Sequence, residues 1–392
     1  MRTFLLADKL VERGHSLIWW ISAFDHFQKK WATGGNQELK INENLTIKTL
    51  KGIGYKNNIS ISRFLDHRII ARKFKNQAPK IKKPDIIIAS IPPYDLAYQA
   101  VIFAEHNAIP ILIDIRDTWP DIFLDKIPNR IRKFAGIALY HDFQMVKKTL
   151  HHADGLIAVS QTFLTWGLKY AGRKAKSEDK IFYLGGPNRN KSTPDTFIHP
   201  DLTNNLKGKF VVTFIGTFAT FHDPSILIDC AKKITNKDII FVIAGDGDLA
   251  KEIQSKAAGL PNVILPGWLN NNQIEALLSD SSVGVCPTPG KADLMPNKAF
   301  TYLSAGLPIL SAFEGELKEI IENNQIGFYY PYNDVDTLTN CINRLHEDKE
   351  LYQNMSDKAL EIFNKYFDAD KIYSEYVEHI EKIAEEFRKK KS

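Results

Sequence analysis

The feature that most constrains the fold is a series of short, continuous apolar segments that alternate with helical patterns along the 392 residues. Such segments are typical of parallel strands that helices bury on both faces. Six occur in the first half, at 15–22, 45–51, 85–90, 109–117, 154–160 and 180–185. Six more follow, at 210–218, 238–245, 262–266, 282–287, 307–313 and 327–330. The pattern predicts an α/β protein built from two successive doubly wound, Rossmann-like domains.

Breaks in this alternation predict the domain boundaries. Residues 191–208 are rich in Pro, Asn, Gly and Thr without periodicity, as expected of a linker between domains at 1–190 and 209–366. Residues 367–392 form a charged helix that we expect to cross back to the first domain. That domain opens on a helical pattern where doubly wound domains usually have a strand and a Gly-rich loop. Its first strand is therefore missing from the pattern, and we expect the gene product to begin upstream of Met1.

Composition and charge narrow the class of protein. No apolar run approaches the ~20 residues of a membrane span. The opening residues do not resemble a signal peptide. The three cysteines are scattered and fit neither a disulfide framework nor a metal cluster. A cytoplasmic location is expected. Residues 1–200 carry 31 Lys and Arg against 18 Asp and Glu, whereas 201–392 carry 20 against 28. The basic half predicts an anionic partner, such as a membrane surface or a phosphorylated lipid, although a solvated basic face explains it nearly as well.

Three loops of the second half follow predicted strands, at the edge where open α/β sheets bind ligands. They contain Gly216 with Thr217, then Gly245, then Trp268. Glycine lets a backbone amide approach a phosphate, although a tight turn is the simpler explanation of each glycine alone. The loop at Trp268 suits contact with a nucleotide base, unless the indole belongs to the core.

The stretch MPNKAFTYLSAGLPILSA, at 295–312, predicts a short helix over 298–305. Asn297 is the expected N-cap, and the following Gly-Leu-Pro ends the helix. The helix N-terminus, together with Lys298 in its first turn, would attract a diphosphate. An ordinary capped helix in a βαβ unit is the equally balanced alternative.

The first half has one polar cluster, DIRDTWPDIF at the end of a buried strand. Asp114, Arg116 and Asp117 lie together there, and burying three charges without a purpose is costly. One Asp–Arg pair would be structural, whereas three charges favour a polar site, with Asp117 facing the sugar or the acceptor hydroxyl. The helical pattern at 130–148, basic at both ends, suits either a membrane surface or the core.

With these segments assembled, the chain resembles the GT-B glycosyltransferases, specifically the retaining family 4, over nearly its whole length. The D-x-R-D-x-W-P stretch resembles bacterial surface-polysaccharide members. The segments that carry the resemblance are KPDIIIASIPP, DIRDTWPDIF, ADGLIAVS, FIGTF, FVIAGDGDL, VILPGWLNNNQIEALLSDSSVGVCP and PNKAFTYLSAGLPIL.

The resemblance implies two domains that face a crevice. A nucleotide sugar, expected to be a UDP-sugar, would bind the second domain, and a lipid-linked or polysaccharide acceptor would bind the first. Transfer would retain the anomeric configuration and need no metal or other cofactor. Peripheral contact with the inner face of the plasma membrane is implied, and nucleic acid is not an expected partner.

The chain departs from the family pattern at its paired glutamates, which fall on Asp293 and Thr301. The neutral Thr301 accepts fewer hydrogen bonds from a ribose than glutamate would. The basic pair that often follows the FIGTF-like turn is absent, so diphosphate binding would depend on Lys298 and Lys291. Two alternatives therefore stay open: a degenerate, non-catalytic protein that binds sugar nucleotides, and a non-hydrolysing UDP-sugar 2-epimerase.

Overall fold

A computed structural model divides the chain into two compact units. One contains Met1–Tyr183 and Tyr373–Ser392, and the other contains Leu184–Ile372. The structure describes residues 2–26, 28–57, 60–125, 127–189, 206–288 and 295–391. Most of the predicted linker, together with Lys291 and Asp293, lies outside the described residues.

The first unit has two separate sheets and a short hairpin. Its strands are β1 (Leu17–Ser22), β2 (Phe24–Asp25), β3 (Lys30–Trp31), β4 (Glu38–Lys40), β5 (Leu45–Leu50), β6 (Ile87–Ile91), β7 (Ile111–Ile115), β8 (Gly155–Ala158) and β9 (Lys180–Ile181). One sheet has the order β1-β5-β4 and the other β6-β7-β8-β9, while β2 pairs with β3. Pairing is parallel from β6 to β9 and between β1 and β5.

Helices connect these strands. Those that precede residue 183 are α1 (Arg2–Glu12), α2 (Ile61–Gln77), α3 (Tyr94–Asn107), α4 (Asp121–Asp125), α5 (Asn129–Ala138), α6 (Tyr140–His151) and α7 (Gln161–Ala171). The helix predicted over 130–148 is thus two helices, because the backbone leaves the helical region at Leu139, which caps the end of α5.

The second unit is one six-stranded parallel sheet. Its strands are β10 (Phe210–Ile215), β11 (Ile239–Ala244), β12 (Val263–Gly267), β13 (Val283–Cys286), β14 (Ile309–Ser311) and β15 (Gly327–Tyr329). The spatial order β12-β11-β10-β13-β14-β15 is that of a doubly wound domain. Successive strands are added to one side of β10 up to β12 and to its other side from β13 onward. The ligand crevice of such a domain is expected at this switch point, at the carboxyl ends of β10 and β13.

Helices cover both faces of this sheet. They are α8 (Ser225–Lys233), α9 (Ala250–Ala257), α10 (Asn271–Asp280), α11 (Asn297–Ser304), α12 (Glu316–Asn324), α13 (Val335–Glu347) and α14 (Lys349–Ile362). The last helix, α15 (Ala369–Lys391), belongs to the first unit from Tyr373 onward.

Continuous apolar strands explain the core of each unit. Every residue of β7 and of β11 is buried, as a strand covered on both faces requires. The last helix has an apolar stripe at Ile372, Tyr376, Ile380 and Ile383, and these four residues are buried as well. Tyr376 stacks on Phe182 with ring centroids 4.5 Å apart, which fixes this helix in the first unit.

Candidate functional site

Two glycines shape the carboxyl edge of the second unit's sheet, beside the switch point. Gly216 follows β10 with φ of 153°, and Gly245 follows β11 with φ of 157°, which L side chains rarely adopt. A Cβ built on Gly245 would lie 1.9 Å from the carbonyl oxygen of Gly216. The two loops therefore touch through bare backbone, and the N–H groups of Gly216 and Gly245 donate to the carbonyl oxygens of Ala244 and Gly267. The absence of side chains at these two positions lets a ligand approach the edge of the sheet closely.

Helix α11 is held against the switch point by Tyr302. Its hydroxyl accepts a hydrogen bond from the backbone N–H of Ile215 at 3.0 Å and lies 3.4 Å from the carbonyl oxygen of Val285. The ring is fully buried and lies over Gly284, where a Cβ would meet the ring at 2.2 Å. Strands β10 and β13 thus fix the position of α11, the helix that carries Lys298 and is predicted to bind a diphosphate.

The ends of α11 differ slightly from the prediction. The helix begins at Asn297, so Pro296 takes the N-cap position and offers no side-chain cap. Proline lacks an N–H, and its extended backbone leads the chain into the first turn. At the other end, Gly306 N–H donates to Leu303 and Leu307 N–H donates to Tyr302, the Schellman pattern that Gly-Leu-Pro predicts.

Lys298 presents a buried ammonium nitrogen beside Gly216. Its Nζ has no hydrogen-bond partner within the described part of the chain, and it lies 3.8 Å from the centroid of the Phe214 ring. A Cβ at Gly216 would lie 3.1 Å from this Nζ. Burial lowers the pKa of Lys298 to about 8. A buried cation that has no counter-ion among the described residues is unfavourable, so this position favours an anion.

His222 is a second buried nitrogen near this cation. Its Nδ1 also has no hydrogen-bond partner among the residues described. Burial, followed by the nearby charge of Lys298, lowers the pKa of His222 to about 4, so its ring is neutral at pH 7. His222 follows the FIGTF-like turn in the sequence. No sequence motif indicates that its ring shares one environment with the ammonium of Lys298.

The other residues predicted for the donor site are dispersed around the same edge. Trp268 is 67% exposed, so it is not part of the core. Thr217 and Asn297 are exposed, and Gly245 is buried. The hydroxyl of Thr301 donates back to the carbonyl oxygen of Asn297 in its own helix, at 3.4 Å. Lys291 and Asp293 lie outside the described residues.

In the first unit, Asp114 is a fully buried anchor. Its carboxylate accepts hydrogen bonds from Nη2 of Arg2 at 2.9 Å and from Nε of Arg116 at 2.9 Å. Burial alone would raise the pKa of Asp114, but the two guanidinium groups outweigh it and hold the pKa below its usual range. Nη1 of Arg116 also donates to the hydroxyl of Thr3, at 2.7 Å. This network joins helix α1 to the carboxyl end of β7.

Asp117 faces a different, aromatic and basic environment. Its carboxylate accepts the backbone N–H of Thr118 at 2.8 Å and the indole N–H of Trp119 at 3.1 Å. The guanidinium of Arg63 stacks over Trp119, 4.3 Å from the ring centroid. His67 packs beside the same indole, and its buried Nδ1 has no hydrogen-bond partner in the described structure. No sequence motif links Arg63 or His67 to Asp117, which lies about fifty residues further along the chain.

The described residues contain no group of three or more His, Cys, Asp or Glu side chains arranged to hold a metal ion. They also contain no helix that is both long enough and apolar enough to cross a membrane.

A family model matches most of the second unit. Residues 209–348 match the model described as "Glycosyl transferases group 1". This part of the chain is therefore similar to group 1 glycosyltransferases. The matched segment contains the switch point, Gly216, Gly245 and all of helix α11.

Curated relatives of the chain are glycosyltransferases by name. An Escherichia coli protein named UDP-Gal:alpha-D-GlcNAc-diphosphoundecaprenol alpha-1,3-galactosyltransferase is 30% identical over 186 residues, 44% of this chain and 47% of that protein. Sulfoquinovosyl transferase SQD2 of Arabidopsis thaliana is 22% identical over 289 residues, 72% of this chain and 54% of that protein. The chain thus spans about half the length of these relatives.

Solved structures extend the likeness to both units. Sucrose-phosphate synthase from Thermosynechococcus elongatus aligns with a TM-score of 0.73 at 14% identity, over 97% of this chain and 92% of that one. Anabaena HepE, solved in complex with UDP and glucose, aligns with a TM-score of 0.62 at 18% identity over 86% of each chain. These are GT-B glycosyltransferases. The chain therefore has the GT-B fold.

Proposed function

We propose that the protein is a retaining glycosyltransferase that moves a sugar from a UDP-sugar to an anionic, lipid-linked or polysaccharide acceptor in cell-surface glycan synthesis. The observation that carries this proposal is the ammonium of Lys298, which has no hydrogen-bond partner among the described residues and lies beside the bare backbone of Gly216. A diphosphate supplies the missing counter-charge and accepts hydrogen bonds from backbone amides and the helix N-terminus. The names of the Escherichia coli relative and of the HepE complex support UDP as the nucleotide.

The transfer breaks the bond between the anomeric carbon and the diphosphate oxygen. A new bond forms from the same carbon to the acceptor oxygen, and the acceptor proton passes to the departing diphosphate. Negative charge grows on that diphosphate as its bond breaks, so a fixed cation in a water-poor site lowers the barrier. Lys298 and the first-turn amides of α11 fill this role, and we propose that no metal is required. Retention of configuration rests on the resemblance to family 4.

The acceptor side of the proposal rests on the first unit. Arg63 lies over Trp119, and Lys29 lies 5.0 Å from the centroid of the Tyr55 ring, so cations and aromatic faces alternate near Asp117. Such a surface suits a phosphate-bearing or carboxylate-bearing sugar acceptor. We place Asp117 next to the acceptor hydroxyl and assign Asp114 and Arg116 to positioning the loop that carries it.

Contact with a membrane surface is supported by helix α5 and its boundary with α6. Phe134 is 73% exposed, Ile137 is 74% exposed and Tyr140 is 64% exposed. Their spacing of three residues places the first two on one face of a helix, next to the exposed Arg130. An exposed apolar strip beside basic residues is typical of interfacial helices. We propose that the protein works on the cytoplasmic side of the plasma membrane, bound peripherally through this strip.

The first experiment is a thermal shift of the protein against UDP, GDP, ADP and CMP at millimolar concentration. A ligand that binds only the folded state stabilises it by about 2.7 kcal/mol at one hundred times its Kd. We expect a shift with UDP alone, followed by transfer from a panel of UDP-sugars to a polyprenyl diphosphate-sugar. A UDP shift without transfer to any acceptor would favour the non-catalytic alternative, to which the back-bonded Thr301 is suited. Conversion of UDP-N-acetylglucosamine without an acceptor would favour the epimerase.

The membrane proposal has its own test. Sedimentation with vesicles that contain one-third phosphatidylglycerol should bind the protein, and the double variant Phe134→Ser with Ile137→Ser should reduce the bound fraction at least about fivefold. Ile61→Ser removes an equally exposed side chain from another helix and serves as the control. Equal losses for both variants would contradict a specific role for α5.

A further inference from the structure

The hydrogen-bonded part of β10 and β13 ends before the strands themselves do. Their parallel register stops at the pair Thr213 and Gly284, two residues before the end of either strand. In a parallel ladder of this register, the next hydrogen bond would join the N–H of Ile215 to the carbonyl oxygen of Val285. The direct pairing of the two strands is therefore interrupted at their carboxyl ends, which form the switch point of the sheet.

The hydroxyl of Tyr302 takes the place of that next hydrogen bond. It accepts the N–H of Ile215 at 3.0 Å and donates to the carbonyl oxygen of Val285 at 3.4 Å. A phenolic hydroxyl both donates and accepts, so one oxygen atom satisfies both backbone groups. A direct N–H···O bond spans only about 2.9 Å, so a hydroxyl between the two groups keeps the strand ends further apart. A side chain of α11 thus completes the ladder between two strands.

The ring of Tyr302 reaches this place because β13 has a glycine there. The ring is fully buried and lies over Gly284, where a Cβ would be 2.2 Å from a ring atom. Glycine within a strand commonly marks such a close approach. Since a close-packed interior leaves the ring little freedom, its hydroxyl is held at one position between the strands.

Tyr302 and Lys298 lie on the same face of α11, because they are four residues apart. This face meets consecutive residues at the end of β10. The hydroxyl of Tyr302 bonds to Ile215, and Nζ of Lys298 lies 3.1 Å from where a Cβ on Gly216 would be. The hydrogen bond one turn further along the helix therefore fixes how closely the ammonium approaches the loop.

We propose that Tyr302 is a positioning residue of the donor site: its hydroxyl bridges β10 and β13 and thereby holds Lys298 beside Gly216. The inference rests on the proposed function, because a donor diphosphate is the group that Lys298 is proposed to bind. Tyr302 is fully buried, so it acts on the nucleotide only through α11 and the two strands.

The test compares two tyrosine variants. Tyr302→Phe removes the bridging hydroxyl and keeps the ring. Tyr330→Phe is the matched control, because Tyr330 is also fully buried in the second unit and its hydroxyl has no hydrogen-bond partner among the described residues. We expect Tyr302→Phe to raise the Kd for UDP at least about tenfold and Tyr330→Phe to leave it within about twofold. Calorimetric titration well below each thermal midpoint measures both, and an unchanged Kd in Tyr302→Phe would overturn the proposal.

The second readout is the titration of Lys298 in the free protein, which a general loosening of the fold elsewhere would not move. Burial lowers its pKa to about 8. Near that pH the neighbouring His222 and Cys286 are both uncharged, because burial lowers the pKa of the imidazole to about 4 and raises the pKa of the thiol to about 12. The pH dependence of Lys298 acetylation, followed by peptide mass spectrometry, reports its pKa. We expect this pKa to rise toward the ordinary value of lysine in Tyr302→Phe and to stay at about 8 in Tyr330→Phe.

A third measurement needs no variant to fold. The N–H of Ile215 donates to a buried hydroxyl, so its hydrogen exchange in the original protein should be within about tenfold of that of Thr213, which lies in the ladder. Tyr302→Phe should speed exchange at Ile215 at least about tenfold, and Tyr330→Phe should not. NMR resolves the two amides. Fast exchange at Ile215 in the original protein would show that the hydroxyl does not bridge the strands and would refute the proposal.

Failure of the proposed function gives a different result. If no nucleotide binds the original protein, the diphosphate assignment is wrong, whereas acetylation and exchange still decide whether Tyr302 holds Lys298 in place. If UDP binds and Tyr302→Phe changes neither the acetylation of Lys298 nor the exchange at Ile215, the donor site stands and the role assigned to Tyr302 is wrong.

Discussion

The Nζ of Lys298 lies 3.8 Å from the centroid of the Phe214 ring, and no other described group forms a hydrogen bond with it. The ring face offers a weak electrostatic partner, worth about 2 kcal/mol in a desolvated position. That is less than the cost of burying an ammonium, which is why burial lowers the pKa of Lys298 to about 8. The apo protein therefore keeps an unfavourable charge in the place where the donor diphosphate is proposed to bind.

Replacement of Lys298 should raise the stability of the free protein and lower its affinity for UDP. Lys298→Met keeps the length of the side chain and removes the charge, so we expect the apo protein at pH 7 to become more stable, by about 2 kcal/mol. The same variant should lose affinity for UDP by about 10- to 100-fold, because a charge-assisted hydrogen bond contributes about 1.5–3 kcal/mol. Denaturant unfolding and calorimetric titration with UDP measure the two effects.

The matched control is Lys251→Met, on the exposed face of α9. It changes the net charge equally and should alter neither quantity measurably. A Lys298→Met protein that binds UDP as tightly as the original would remove this lysine from the diphosphate site.

The affinity for UDP should fall above pH 8. In the free protein, Lys298 loses its proton around pH 8, so binding a diphosphate at higher pH must also take up a proton. The Kd should be nearly constant from pH 7 to 7.5 and then rise by up to about tenfold per pH unit. The charge penalty on the apo fold has the opposite trend: it is complete below pH 8 and disappears as pH rises toward 10.5, the ordinary pKa of lysine.

Lys298→Arg tests this assignment, because arginine keeps its charge over the whole range. Its Kd for UDP should show no slope between pH 7 and 9.5. The same slope in Lys298→Arg and in the original protein would assign the titration to another group.

Thr301→Glu should strengthen UDP binding, or at least preserve it. Thr301 uses its hydroxyl within α11, and a carboxylate there would reach further and accept both ribose hydroxyls. We expect the Kd for UDP to fall by up to about tenfold, with Thr301→Gln giving a smaller gain because its amide is neutral. Calorimetric titration compares the three proteins. A tenfold loss of affinity would show that position 301 does not face the ribose.

Asp117→Asn should lower transfer without weakening donor binding. The amide keeps the shape of the side chain and loses the negative charge, so the acceptor hydroxyl is positioned less well. We expect turnover to fall at least about tenfold while the Kd for UDP stays within twofold. Asp8→Asn, exposed on α1, is the control. Unchanged turnover in Asp117→Asn would exclude Asp117 from the site.

Asp114→Asn should act mainly on stability. Removing the carboxylate leaves the guanidinium groups of Arg2 and Arg116 without their buried partner, and breaking such a network costs about 3–5 kcal/mol. The stabilisation is present at neutral pH and is lost as pH falls through the lowered pKa of Asp114. The thermal midpoint of the variant should therefore be low at pH 7 and approach that of the original protein in strong acid. A midpoint that differs equally at every pH would argue against an ionic role.

The strands could be predicted from the sequence because each one is a continuous apolar run. All twelve predicted segments overlap an observed strand, although β6 and β12 each end one residue beyond their segment and most other strands are shorter. The segment predicted at 307–313 contains only Ile309–Ser311, and its other residues are buried but lie outside regular secondary structure. The short strands β2, β3 and β4 were not predicted, because two or three residues are too few to show the alternation or the apolar run of a strand.

The residues of the candidate site could be predicted only in part. Sequence motifs show which residues are close along the chain, but they do not show which distant residues come into contact. Lys298 and Gly216 were both found, each after its own strand. That Nζ of one lies next to the backbone of the other depends on β10 and β13 being adjacent, which requires the topology. The contact between Arg63 and Trp119 depends in the same way on a helix and a loop more than fifty residues apart.

The edges of β1 and β6 also have a consequence for handling the protein. Within the described residues, β1 pairs only with β5 and β6 pairs only with β7, so each strand presents an apolar, half-buried edge. Such edges can pair with strands of other molecules, and that association grows with concentration. Turbidity that rises steeply with concentration, below the temperature at which the folded units melt, would connect the solubility of this protein to the order of strands in its sheets.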